Sequence, residues 1–128
     1  MAEELSKVLL VEDERDIVEC FQGVFQNFPH IKFFSALSAR QGVEIAKQEK
    51  PQVILMDLRM PGMNGEEALR ELKPLLPGTK FIVMTGWEDG QTKSRIMREI
   101  GPDAYFEKPV ELEKVITKVI ELIMVKQR

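Results

Sequence analysis

Five short apolar runs recur along the chain without alternation: KVLLV (7–11), IKFF (31–34), VILM (53–56), FIVM (81–84) and AYF (104–106). A strand with one face in water alternates apolar and polar residues, so unbroken runs predict strands covered on both faces, as in a parallel sheet. Between them lie segments with helical spacing: Ile17, Phe21, Val24 and Phe28; Ala39, Val43 and Ala46; Leu69, Leu72 and Leu76; Ile96 and Ile100. Near the end, Leu112, Val115, Ile116, Val119 and Ile123 form a broad stripe. Breakers at Pro29, Pro51, Pro77-Gly78 and Gly101-Pro102 separate these elements. The chain thus reads as strand–helix repeated five times. Such alternation predicts a doubly wound α/β fold, a five-stranded parallel sheet with five helices spread over both faces.

Composition changes this picture little. The 128 residues suit a single domain over 1–128, with 44% hydrophobic and 30% charged residues. A net charge of −3, with both signs interspersed, leaves no basic footprint for direct nucleic-acid binding. No apolar run approaches a membrane span, and the acidic N-terminus lacks the pattern of a signal peptide. The single cysteine, Cys20, suits a reducing compartment, so a soluble cytoplasmic protein is expected. Cys20 is expected to be a small packing residue within a helix, and His30 an exposed one.

The polar residues at the strand ends carry the chemistry. The first strand runs into Glu12-Asp13-Glu14, the third into Asp57, the fourth into Thr85-Gly86 and the fifth into Lys108-Pro109. Open α/β sheets bind ligands beyond the carboxyl ends of their strands, where strand order reverses. In the order 2-1-3-4-5 that point lies between the first and third strands, and four strands aim these groups at one pocket. Carboxylates about 5 Å apart repel by about 3 kcal/mol at an effective dielectric near 20. Such a cluster must take up protons or bind a cation. Oxygen ligands without cysteine or histidine favour Mg²⁺ (or Mn²⁺) over zinc. Beside a dication, an aspartate is a competent nucleophile toward phosphorus. Lys108 supplies a charge for a phosphoryl oxygen, Thr85 a hydroxyl donor, and Gly86 room for the backbone to approach. Glu14 and Asp16 are expected to do no more than start a solvated helix.

At these residues the chain resembles the response regulator receiver domain of two-component signalling. The likeness rests on VLLVEDE, ILMDLRMPGMNG, FIVMTG and GPDAYFEKP, four motifs in order that together span most of the chain. It implies a flavodoxin-like fold with strand order 2-1-3-4-5 and a phosphoacceptor at Asp57. Phosphate would come from a sensor histidine kinase or a histidine phosphotransfer protein. The resemblance assigns the metal to Asp13, Asp57 and the backbone carbonyl of Arg59, with Glu12 acting through water. It implies a cis Lys108–Pro109 bond and a switch in which Thr85 moves toward the phosphoryl group and Tyr105 turns inward. The face formed by the fourth helix, fifth strand and fifth helix would then change shape, signalling to a partner or output domain, or forming a dimer. Arg59 and Trp87 fall where residues tune phosphoryl lifetime, and the bulky indole predicts slow loss of phosphate.

Two rival functions differ in class. A phosphatase of the haloacid-dehalogenase type wants an acid two residues after the nucleophile, where this chain has Arg59. A phosphate-independent scaffold would be expected to lack an acid, the threonine or the lysine, and none is missing. The expected role is therefore a switch that assists its own phosphorylation and dephosphorylation, without turnover of a separate substrate. It would act as a stand-alone receiver or as part of a longer regulator or hybrid kinase.

Overall fold

The computed structural model describes residues 5–86 and 90–124. In chain order the elements are β1 (Ser6–Val11), α1 (Arg15–Phe25), β2 (Ile31–Ala36), α2 (Ala39–Glu49) and β3 (Val53–Met56). There follow α3 (Gly65–Leu75), β4 (Lys80–Thr85), α4 (Gly90–Glu99), β5 (Ala104–Glu107) and α5 (Leu112–Met124). All strand pairs are parallel, in the order β2-β1-β3-β4-β5. This is the architecture expected from the apolar runs, and each run falls inside its strand.

The period of two divides each central strand between two cores. Leu9, Val11, Ile54, Met56, Phe81 and Val83 face α2, α3 and Ile96 of α4. Val8, Leu10, Val53, Leu55, Ile82 and Met84 face α1 and α5. The four residues of β3 are fully buried, which explains why its sequence shows no alternation. Met56, Met60 and Met84 are core residues, as packing predicts.

Local signals fix the helix starts. Ser38 caps α2 by accepting from the Gln41 N–H at 3.1 Å. Asn64 and Glu67 form a capping box at the start of α3. Pro74 lies inside the last turn of α3. The buried stripe of α1 is Val18, Phe21 and Phe25, one position off the expected series at two of its three members, and the helix ends before Phe28. Cys20 consequently points outward. The expectation of a packing cysteine is corrected: Cys20 is exposed, because only Phe21 is common to the two stripes.

Candidate functional site

Each acid stands one residue beyond its strand, yet its backbone is still held by the sheet. The Glu12 N–H donates to the Ala36 carbonyl at 2.9 Å, and the Asp57 N–H to the Val11 carbonyl at 3.1 Å. The Lys108 N–H likewise donates to the Thr85 carbonyl at 2.7 Å. The last ladder bonds therefore aim the site, and the side chains inherit the rigidity of the sheet.

Glu12 and Thr85 are wholly buried and Asp57 is 3% exposed. The Lys108 ammonium sits between acids, 2.7 Å from Glu12 Oε1 and 3.0 Å from Asp57 Oδ2. The other Asp57 oxygen, Oδ1, accepts from the Arg59 N–H at 3.1 Å. Glu12 Oε2 accepts from the Glu14 N–H at 3.1 Å. Burial pushes the Glu12 carboxyl up to about 7, against the opposing pull of its bonds from Lys108 and the Glu14 backbone. Burial would lower the Lys108 ammonium, but its hydrogen bonds with Glu12 and Asp57 outweigh that and hold it above the ordinary lysine value. The lysine stays charged across all ordinary pH.

One carboxylate oxygen from each of Glu12, Asp13 and Asp57 lies within 4.8 Å of the others. Three oxygen donors at that spacing, with neither thiolate nor imidazole among them, fit a hard dication such as Mg²⁺. The loop that shapes this hollow tolerates no side chain at Gly65. A Cβ there would collide with the Asp57 carbonyl oxygen and lie 2.7 Å from Leu58 Cα. The Gly65 N–H donates to the Leu58 carbonyl at 3.0 Å, so α3 starts hard against the loop that follows Asp57. In the sequence this loop stands out only as part of the motif ILMDLRMPGMNG; its glycine is a packing requirement.

Thr85 ends β4 beside Lys108, and its buried hydroxyl has no hydrogen-bond partner among the described residues. Its register partner is Glu107, and Val83, two residues earlier, pairs with Tyr105. Thr85 and Tyr105 thus share a sheet face, the one covered by α3 and α4. The Tyr105 ring is partly buried against that core, with the Lys93 ammonium of α4 5.3 Å from its centroid. Arg59 is exposed beside the site. Trp87 lies outside the described residues. Lys108–Pro109 is cis, as the resemblance implied.

Glu14 does more than begin a helix. It stands at the N-cap of α1 without capping through its side chain, and its carboxylate lies 3.4 Å from the Lys108 ammonium. The two residues are 94 apart in sequence, so no local pattern signals the contact.

A buried aspartate, a lysine, a hydroxyl and a trio of acids at the carboxyl end of a 2-1-3-4-5 sheet define a phosphoacceptor signalling domain. The profile of the response regulator receiver domain matches residues 8–120, and the chain belongs to that family. Sporulation initiation phosphotransferase F of Bacillus subtilis is 28% identical over 85% of this chain and 86% of its own length. YesN, an uncharacterized transcriptional regulatory protein of the same organism, is 26% identical over 91% of this chain, which spans only 32% of YesN. A CheY-like receiver domain from Methanospirillum hungatei superposes with a TM-score of 0.80 at 29% identity, covering 94% of this chain and 98% of that one. Receiver domains act in signalling without turning over a separate substrate, and they bind Mg²⁺ at an acidic pocket. Among the described residues, no helix is long and apolar enough to cross a membrane.

Proposed function

We propose that Asp57 is the phosphoacceptor of a single receiver domain over residues 1–128 in a cytoplasmic two-component or phosphorelay pathway. The observation that carries this is the pairing of two buried acids, Glu12 and Asp57, with one ammonium, beside a buried hydroxyl that has no partner among the described residues. The donor is a phosphohistidine of a sensor kinase or a phosphotransfer protein. An Asp57 carboxylate oxygen attacks phosphorus in line; an O–P bond forms, the N–P bond breaks, and the imidazole nitrogen leaves with the bonding pair. In hydrolysis, water attacks the same phosphorus, releasing inorganic phosphate and restoring the carboxylate.

Glu12, Asp13, Asp57 and the Arg59 backbone carbonyl would hold Mg²⁺ or Mn²⁺, directly or through water, a reading that the spacing of the three carboxylates supports. A bound dication offsets charge on the transferring oxygens. Lys108 exchanges its bond to the Asp57 carboxylate for one to a phosphoryl oxygen, and Thr85 donates its hydroxyl to another. Movement of Thr85 opens space on the face it shares with Tyr105. The ring fills that space, and α4, β5 and α5 present an altered surface to a partner, an output domain or a second copy. Arg59 and Trp87, two residues after Asp57 and Thr85 in the sequence, set how long the phosphate survives.

The test is intact mass after incubation with Mg²⁺ and acetyl phosphate. One added phosphoryl group is expected, absent in Asp57→Asn and after chelation of the metal. Mass that never changes with any donor or kinase would leave a scaffold. Continuous phosphate release from varied esters would make the protein a phosphatase.

A further inference from the structure

The weakest-anchored helix is the one the proposed switch must move. Among their described residues, α1, α2, α3 and α5 each bury three side chains, whereas α4 buries only Ile96. Charge supplies much of the remaining attachment. Arg95 of α4 grips Glu66 in the first turn of α3 with two hydrogen bonds, Nη1 to Oε2 at 2.6 Å and Nη2 to Oε1 at 2.9 Å. Arg70, one turn further along α3, donates to Glu66 Oε2 at 2.8 Å and to Glu99 Oε1 of α4 at 2.6 Å. Arg95 and Glu99 lie 3.6 Å apart and close the ring. Two acids and two arginines thus span the gap between the helices. On its other side α4 sends Lys93 over the ring of Tyr105.

Position gives this ring of charges its meaning. Glu66 is the second residue of α3, next to Gly65, whose backbone is pressed against Asp57. Its partner Arg95 belongs to a helix joined to Thr85 by residues 86–89 alone. The network therefore ties the acceptor loop to the helix that follows the switch threonine, in an arrangement where Asp57 holds Lys108 and the Thr85 hydroxyl has no partner among the described residues. A bidentate fork is strict in distance and direction, so it opposes a shift of α4 that apolar packing would resist weakly.

We propose that the Glu66–Arg95–Arg70–Glu99 ring is a latch that favours the unphosphorylated arrangement of α4 and so restrains phosphorylation of Asp57. This rests on the phosphoacceptor reading above. Linkage requires reciprocity: whatever holds α4 in place weakens ligands that need it moved, and releasing it tightens them. Exposed charge pairs each contribute little, so release should change affinity by about threefold to tenfold, not by orders of magnitude.

Beryllofluoride, which stands in for a phosphoryl group on a carboxylate, measures this directly. Its Mg²⁺-dependent affinity is compared in the parent, Glu66→Gln, Arg95→Met and the double variant, with Asp57→Asn as control and amide exchange following α4. Each single variant should bind about threefold or more tightly. The double variant should be little different from the singles, since both break the same contact between the helices, the Glu66–Arg95 fork, and the other contact each loses lies within one helix. Exchange in α4 should rise in all three without ligand, while β1 and β3 stay protected. Equal affinities in parent and variants would overturn the latch and leave the phosphoacceptor reading standing. Weaker binding would do the same, by showing that the ring supports the switched arrangement. A parent that takes up no beryllofluoride would overturn both.

Discussion

Thr85 is the residue where stability and function pull apart. Its hydroxyl is wholly buried and has no partner among the described residues, so it costs desolvation with no bond there to offset it. Thr85→Val, nearly the same shape, should therefore melt no lower than the parent. It should bind beryllofluoride about tenfold more weakly, because a hydrogen bond to a charged acceptor is lost only in the phosphoryl-like state. A melt several degrees below the parent would show that the hydroxyl is engaged at rest. Asp57 and Thr85 were legible in the sequence because each interrupts an apolar run at its end, and Lys108 because it stands before Pro109 just past the fifth run. Glu14 was not, since its meeting with Lys108 depends on how the first and fifth strands are spaced. Cys20 was misplaced for a different reason. Several overlapping residues satisfy a helical period, and only packing against the sheet chose Val18 and Phe25 over Ile17 and Val24.

Among the elements, α3 bears most directly on Asp57. Its first residue must be glycine for the helix to meet the loop carrying Asp57. Gly65→Ala should cost about 2 kcal/mol or more in urea unfolding, as an overpacked site does. It should also weaken Mg²⁺ binding, because the Asp57 backbone is what must yield. Loss of less than about 0.5 kcal/mol, the scale of an ordinary surface change, would mean the helix start relaxes freely. The capping box on Asn64 and Glu67 was readable in principle from residue type and spacing. The collision at Gly65 was not, since it sets a helix against a strand end. Helix α4 shows the opposite balance. Its sequence carries one fully buried position, and the arginines that hold it find their partners on another helix.

For the whole molecule, the ring of charges between α3 and α4 has a pH signature. Hydrogen bonds from Arg95, followed by those from Arg70, lower the Glu66 carboxyl from 4.5 to about 2 despite its partial burial. A carboxyl depressed on folding stabilises fully above its unfolded value and loses that contribution as pH falls through the folded one. The Tm difference between parent and Glu66→Gln should thus be constant above about pH 5 and shrink between about 4.5 and 2. Glu99 faces the same arginines and its carboxyl is lowered too, so the same comparison made in a Glu99→Gln background isolates Glu66. A gap unchanged down to pH 2 would sink the assignment. Salt should narrow the gap too, since these groups are partly exposed.

By itself the sequence determined the strand and helix order, the doubly wound class and the identity of the polar groups at the strand ends. Those properties follow from periodicity and from breakers, which act over a few neighbouring residues. Tertiary structure alone decided which distant groups touch: Lys108 with Glu12 and Glu14, Gly65 with the Asp57 backbone, Arg95 with Glu66. Such contacts depend on strand order, on the distance between helices and on side-chain reach, none of which a local pattern encodes.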